Sequence, residues 1–185
     1  MTQIPILPES EQIVQARSHW RYTGEQRPDF AEPTTAGQES VWDFPRPPRI
    51  EPVSAVLRVF NGKQLIAQTE RGCRVVETAG APTYYFPPAD VDETLISFGD
   101  MTSICEWKGV AQRVDADGIS NAGWRYVRMF EPFAQLYEWP SFYPNKLLCF
   151  IDNEKVEPQP GGYYGGWVTR QLTGPIKGGP DSGHW

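Results

Sequence analysis

AVLRVFNGKQLIAQT, residues 55–69, decides the fold class. Two β-rich runs, 55–60 and 64–69, flank Asn61-Gly62, the dipeptide best suited to positive φ at both central positions of a type I′ turn. The segment therefore predicts a β-hairpin. Working outward, 73–78 and 83–86 read as strands broken by Gly80-Ala81-Pro82, and Pro87 to Val91 suits a one-turn helix opened by proline. Residues 102–114 and 119–126 flank Asp115-Ala116-Asp117-Gly118, a turn-forming tetrapeptide, and predict a second hairpin. A third is expected from 147–152 and 155–157 around Asn153-Glu154. Short strands at even spacing with little helix between them predict an all-β, mainly antiparallel domain, either a small barrel or a bent two-sheet sandwich.

The 185 residues fit one domain with extensions, and 39% hydrophobic content with seven Trp is enough for a real core. We divide the chain into residues 1–52 (a short helix and an aromatic, proline-rich arm), 53–157 (the β domain) and 158–185 (a Gly/Pro/Trp-rich tail). The helix is expected over residues 9–18, with Ile13, Val14 and Arg17 on neighbouring faces. Trp20, Tyr22, Phe30, Trp42 and Phe44 in the arm, and Tyr163, Tyr164, Trp167 and Trp185 in the tail, are too apolar to float free. Both extensions are expected to pack on the β domain, with Pro45-Arg46-Pro47-Pro48 as a rigid entry to it.

A formal charge of -6, with 17 basic side chains scattered among 23 acidic ones, argues against nucleic acid, which needs a concentrated positive field. No apolar run approaches the ~20 residues that span a bilayer, and MTQIPILPES lacks the pattern of a signal peptide, so a cytoplasmic protein is expected. Cys73, Cys105 and Cys149 are odd in number and widely spaced, which predicts reduced buried thiols and no CxxC-type zinc site. His19 and His184 have no ligand-spaced neighbours, so no metal site is expected and the cofactor is unknown.

Candidate chemistry centres on Cys105-Glu106-Trp107-Lys108-Gly109, read as a strand lining a pocket. Alternation then puts Cys105, Trp107 and Gly109 on one face, and Glu106 and Lys108 on the other. One reading is a solvated Glu106–Lys108 ion pair beside a core Trp and Cys. The other is a site in which Gly109 admits a ligand or another backbone, Trp107 forms a flat wall and Lys108 holds an anionic or carbonyl group. A buried lysine can also be depressed in pKa and act as base or nucleophile. Arg74 and Glu77 fall on opposite faces of their strand, so sharing a site requires a bulge at Glu77. Tyr84 offers a hydroxyl. Cys105, placed beside Trp107 and away from Lys108, reads as a buried thiol. Asp115-Ala116-Asp117 has metal-binding spacing, but Gly118 explains it as a turn.

Several of these words in order resemble a known family, domain of unknown function 427: Arg74-Val75-Val76-Glu77-Thr78, the Tyr84-to-Val91 run YYFPPADV, the Cys105-to-Ala111 run CEWKGVA, and Trp124-Arg125-Tyr126. Trp20-Arg21-Tyr22-Thr23-Gly24, QESVWDFPRPP (38–48) and the tail are similar to a longer branch of it. The resemblance implies a small β domain related in shape to β-tent folds, here without the paired CxxC motifs that hold zinc in many tents. It also raises Trp107, Lys108 and Gly109 to the best site candidates. The glycine-serine and helix-borne carboxylate pattern of nucleotidyltransferases, a label attached to the family, is missing. The chain departs from the family pattern at Arg113, where a tyrosine is expected, and at Val127, where a proline is. The leading expectation is a binding module whose cleft (Arg74, Glu77, Tyr84, Trp107, Lys108, Gly109) takes a small polar or anionic ligand. The alternatives are an enzyme using Lys108 or Cys105 with Glu77, and a scaffold or homo-oligomer built through arm and tail.

Overall fold

The computed structural model describes residues 3–185. Its one α-helix, α1 (Glu11–Ser18), starts at Ser10, whose hydroxyl accepts the Ile13 amide at 3.4 Å. Strands follow in the order β1 (Glu39–Ser40), β2 (Arg49–Pro52), β3 (Leu57–Asn61), β4 (Gln64–Thr69), β5 (Cys73–Val76), β6 (Thr83–Tyr85), β7 (Ile96–Cys105) and β8 (Gly109–Ala116). The remainder are β9 (Ile119–Met129), β10 (Pro140–Phe142), β11 (Leu148–Ile151), β12 (Glu154–Lys155), β13 (Glu157–Pro158), β14 (Trp167–Val168) and β15 (Leu172–Thr173). They build antiparallel sheets in the orders β10-β9-β8-β7, β12-β11-β3-β4 and β2-β5-β6, with a β13–β14 pair and one parallel pair, β1–β15. The fold is all-β and mainly antiparallel, as expected, and its open sheets form a sandwich and no closed barrel.

Three hairpins stand where turn chemistry puts them, with two shifted by one residue. The β3–β4 turn is Gly62-Lys63, and positive φ occurs at Gly62 (56°) but not at Asn61. Glycine at the first central position suits type II′. The turn with positive φ at both central residues is Asp117-Gly118 (45° and 78°), between β8 and β9. The β11–β12 turn is Asp152-Asn153. Proline opens the expected single turn of 3-10 helix, Pro88–Asp90.

The largest departure is at residues 105–109. The expected strand 102–114 is two strands, because Cys105 pairs with Gly109 across a three-residue loop, Glu106-Trp107-Lys108. The loop holds no turn-forming residue of its own. Gly109 (φ 128°) permits the re-entry into the sheet, since a Cβ there would lie 2.1 Å from the Arg128 carbonyl oxygen. Gly109 thus admits a neighbouring backbone and not a ligand.

Two apolar layers lie on opposite sides of β6. Tyr84 and Phe86 point into a core with Leu57, Val59, Ile66, Val114, Phe142 and Trp167, between the β3–β4–β11 and β8–β9–β10 strands. Tyr85 points the other way, into a core with Cys73, Val75, Trp107, Tyr126 and Met129. A third cluster joins arm to tail: Trp42 is fully buried, in edge contact with Tyr22, Phe30 and Trp185 at 5.1–5.3 Å between ring centroids. The tail therefore docks as its aromatics predict, with one exception. Tyr163 stays 79% exposed. No helix among the described residues is long and apolar enough to cross a membrane.

Candidate functional site

The 106–108 loop brings its residues together with side chains from four other elements. Lys108, 8% exposed, lies with its Nζ 3.6 Å from Glu77 Oε2. Glu77 is just beyond the end of β5, where the chain has left the strand, so the face it takes is free of β5 alternation. Its other oxygen accepts Arg46 Nε at 3.2 Å, while the remaining Arg46 nitrogens donate to the Tyr22 and Thr78 carbonyls at 2.9 Å each. Each of the three Arg46 nitrogens therefore makes a hydrogen bond. Burial alone disfavours the Lys108 ammonium, but Cys105, Glu77 and Tyr85 around it outweigh that and push its pKa up. That direction is opposite to the depressed pKa a lysine base or nucleophile needs, and it favours the cationic form of Lys108.

Cys105 also changes place. Because the loop reverses the chain, its side chain lies close to Lys108 and Tyr126, where continuous alternation had put it on the face opposite Lys108. Burial raises the pKa of both Tyr126 and Tyr85, so both phenols stay protonated. The expected local pair of Glu106 with Lys108 is absent among the described residues. Glu106 instead accepts Trp20 Nε1 at 2.8 Å.

Arm, helix and tail cover this centre. The Trp20 ring is in cation–π contact with both Arg46, its guanidinium carbon 4.3 Å from the ring centroid, and Lys177, its Nζ at 3.8 Å. Lys177 donates to the Trp185 oxygen at 3.0 Å, and burial together with Arg46 brings its pKa down to about 8. Arg17 of α1 donates Nε to the Glu106 carbonyl at 2.7 Å and sits over the Trp107 and Phe130 rings at 5.1 and 4.9 Å. Trp107 is thus core wall under a guanidinium, and its Nε1 is buried with no hydrogen-bond partner among the described residues.

Arg74 and Tyr84 belong elsewhere. They face each other across β5 and β6, and Arg74 binds Glu39 through two bonds of 2.8 Å and Glu51 through Nε at 2.9 Å. Hydrogen bonding to Glu39 holds the Arg74 pKa above its ordinary value. Glu51, which burial alone would raise, is lowered by Arg49 and Arg74. Of the six expected site residues, then, Glu77 and Lys108 meet, Trp107 and Gly109 hold the loop, Arg74 forms a separate ionic junction with Glu39 and Glu51, and Tyr84 lies in the core beside that junction. Tyr85, Tyr126, Arg46, Trp20 and Lys177 complete the centre and were missed. For Tyr85 a signal existed: it stands opposite Cys73, while Tyr84 stands opposite Arg74.

Residues 49–156 match the family described as "Domain of unknown function (DUF427)". The chain belongs to this family. No curated protein matches it. The DUF427 segment carries the floor of the centre (Glu77, Tyr85, Cys105, Lys108 and Tyr126), whereas Trp20, Arg46 and Lys177 lie outside it, in the arm and tail. Among the described residues of this DUF427 chain no three His, Cys, Asp or Glu side chains group to hold a metal ion.

The thiols are sorted by environment. Burial pushes Cys73 up to about 12 and Cys149 higher still, while Cys105 is half-buried. Iodoacetamide is therefore expected to alkylate Cys105 ahead of Cys73 and Cys149 in the native protein. Peptide mass spectrometry reads the order, and equal labelling of all three before unfolding would contradict it.

Proposed function

We propose that the chain is a small-molecule-binding protein whose ligand is a small anion held at Lys108, beneath the arm and tail. The observation that carries this is the state of Lys108 Nζ. It carries three donors on a side chain only 10% exposed, yet its nearest carboxylate, Glu77, is at 3.6 Å, beyond hydrogen-bond length, and its neighbour Cys105 offers only a sulfur, a weak acceptor. A largely buried ammonium without a direct hydrogen bond gains from one, and a carboxylate or phosphate oxygen supplies it. Arg46 and Lys177, buried around the same Glu77, add to the positive field.

A thermal-shift screen of phosphate and small carboxylic acids tests the reading. An anion at a hundred times its Kd stabilises by about 2.7 kcal/mol, which for a chain of this size raises Tm by roughly 5–10 °C. Lys108→Met is expected to lose that shift, and equal shifts in both proteins remove Lys108 from the site. Lys177 supplies a pH signature. Its folded pKa of about 8 means the cover loses a positive charge as pH rises through that value, so anion affinity is expected to fall there.

An enzymatic reading is favoured by one observation, the contact of Cys105 with Lys108 and Tyr126. In that case Cys105 is the nucleophile, Lys108 stabilises its thiolate, and Lys108→Met slows alkylation of Cys105. The scaffold reading is weaker, because Trp42, Trp167 and Trp185 pack within the chain.

A further inference from the structure

A concavity of about 320 Å³ lies on the β7–β8–β9 sheet beside the start of the tail. It is distinct from the Lys108 centre: Trp124, in its wall, donates Nε1 to the Tyr85 hydroxyl at 3.3 Å, and the Tyr85 ring stands between the two. Its lining has an unusual balance. Trp124 and Tyr143 pack at 4.7 Å between ring centroids and are partly exposed, and Tyr163 is the one tail aromatic left in solvent. The same hollow is lined by the uncharged polar residues Thr102, Ser103, Gln112, Asn121 and Asn145, of which Gln112 already accepts Arg125 through Oε1. No carboxylate lines the hollow. Two cations do. Arg113 is already paired with Asp115 at 2.9 Å, whereas Lys146 is exposed and makes no ion pair among the described residues.

Flat apolar rings together with amides and hydroxyls match a ring that is apolar on its C–H face and hydroxylated at its edge. A single unpaired ammonium at the rim matches one anionic substituent. We propose that this hollow binds a sugar ring bearing one anionic group, stacked on Tyr163 and Trp124, with its anion on Lys146.

The test is an amide-resolved NMR titration of the whole chain with glucuronate, glucose 6-phosphate, unsubstituted glucose and AMP. Tyr163→Ala and Lys146→Ala are chosen because both side chains are exposed and neither supports the fold. The expected result is saturable shifts around Trp124 and Asn145 with at least one of the two acidic sugars. Affinity then falls about tenfold in each variant, and glucose binds more weakly than its acidic forms. Three outcomes overturn the proposal: no saturable shift with either acidic sugar, binding unchanged in both variants, or tighter binding of AMP. Lys108→Met leaves this binding intact, so failure here is separable from failure at the Lys108 centre.

Discussion

Trp167→Ala is expected to lower the unfolding free energy by about 3–5 kcal/mol, the range for removing a large aromatic side chain from a core. Trp167 is in the tail, outside the matched family segment, yet it is fully buried among β-domain residues. Its ring stacks on Tyr84 at 4.9 Å, its Nε1 donates to the Phe142 carbonyl at 2.9 Å, and its backbone amide donates to Pro82 at 2.8 Å. Truncation leaves a void and an unpaired carbonyl together. Urea denaturation measures the loss, and Tyr163→Ala, exposed four residues earlier, is the control and stays within about 0.5 kcal/mol of wild type. A loss under 1 kcal/mol for Trp167→Ala would mean that the tail is an appendage.

Glu77→Ala is expected to cost roughly 3 kcal/mol, the low end for breaking a buried ion pair because the carboxylate is about a quarter exposed. The mechanism is uncompensated charge: Arg46 and Lys108 lose the carboxylate they share, and both remain buried. The variant has a diagnostic rescue. Acetate restores part of the lost stability by taking the vacated position, and chloride at the same ionic strength restores less. Denaturation curves with and without acetate read this directly, and a Glu77→Ala protein as stable as wild type would show that the cations are solvated after all.

The hairpins were legible in the sequence because their turns are made by residues that tolerate positive φ, such as Gly62 and the Asp117-Gly118 pair. The site was legible only in part, for one physical reason. Period-two alternation holds inside a strand and nowhere else, and Glu106-Trp107-Lys108 is a loop with none of the residues that advertise one. Read as strand, the run separated Cys105 from Lys108; folded as a loop, it joins them. Glu77 was misjudged in the same way, since it stands one residue past the end of β5. The aromatics of arm and tail announced that both extensions pack, but local pattern could not say that Trp20, Arg46 and Lys177 meet at Lys108. Arg46, Trp20 and Lys177 are brought in by long-range packing, and a two-residue pairing such as β1–β15 has no periodicity to detect.

That β1–β15 pairing has a consequence in time. It joins Glu39 to Leu172, so it closes a loop around nearly the whole β domain. The chain-entropy cost of such closure grows only slowly with length, but the contact cannot form until intervening strands have drawn the two ends together. The β7–β8–β9 meander, built from neighbours in sequence, has no such delay. Contact order therefore predicts that the β7–β8–β9 meander forms before the arm and tail close over it. On the proposed reading, an anion present while the chain refolds would be enclosed as arm and tail close, and refolding with and without phosphate, followed by removal of free anion, tests for it.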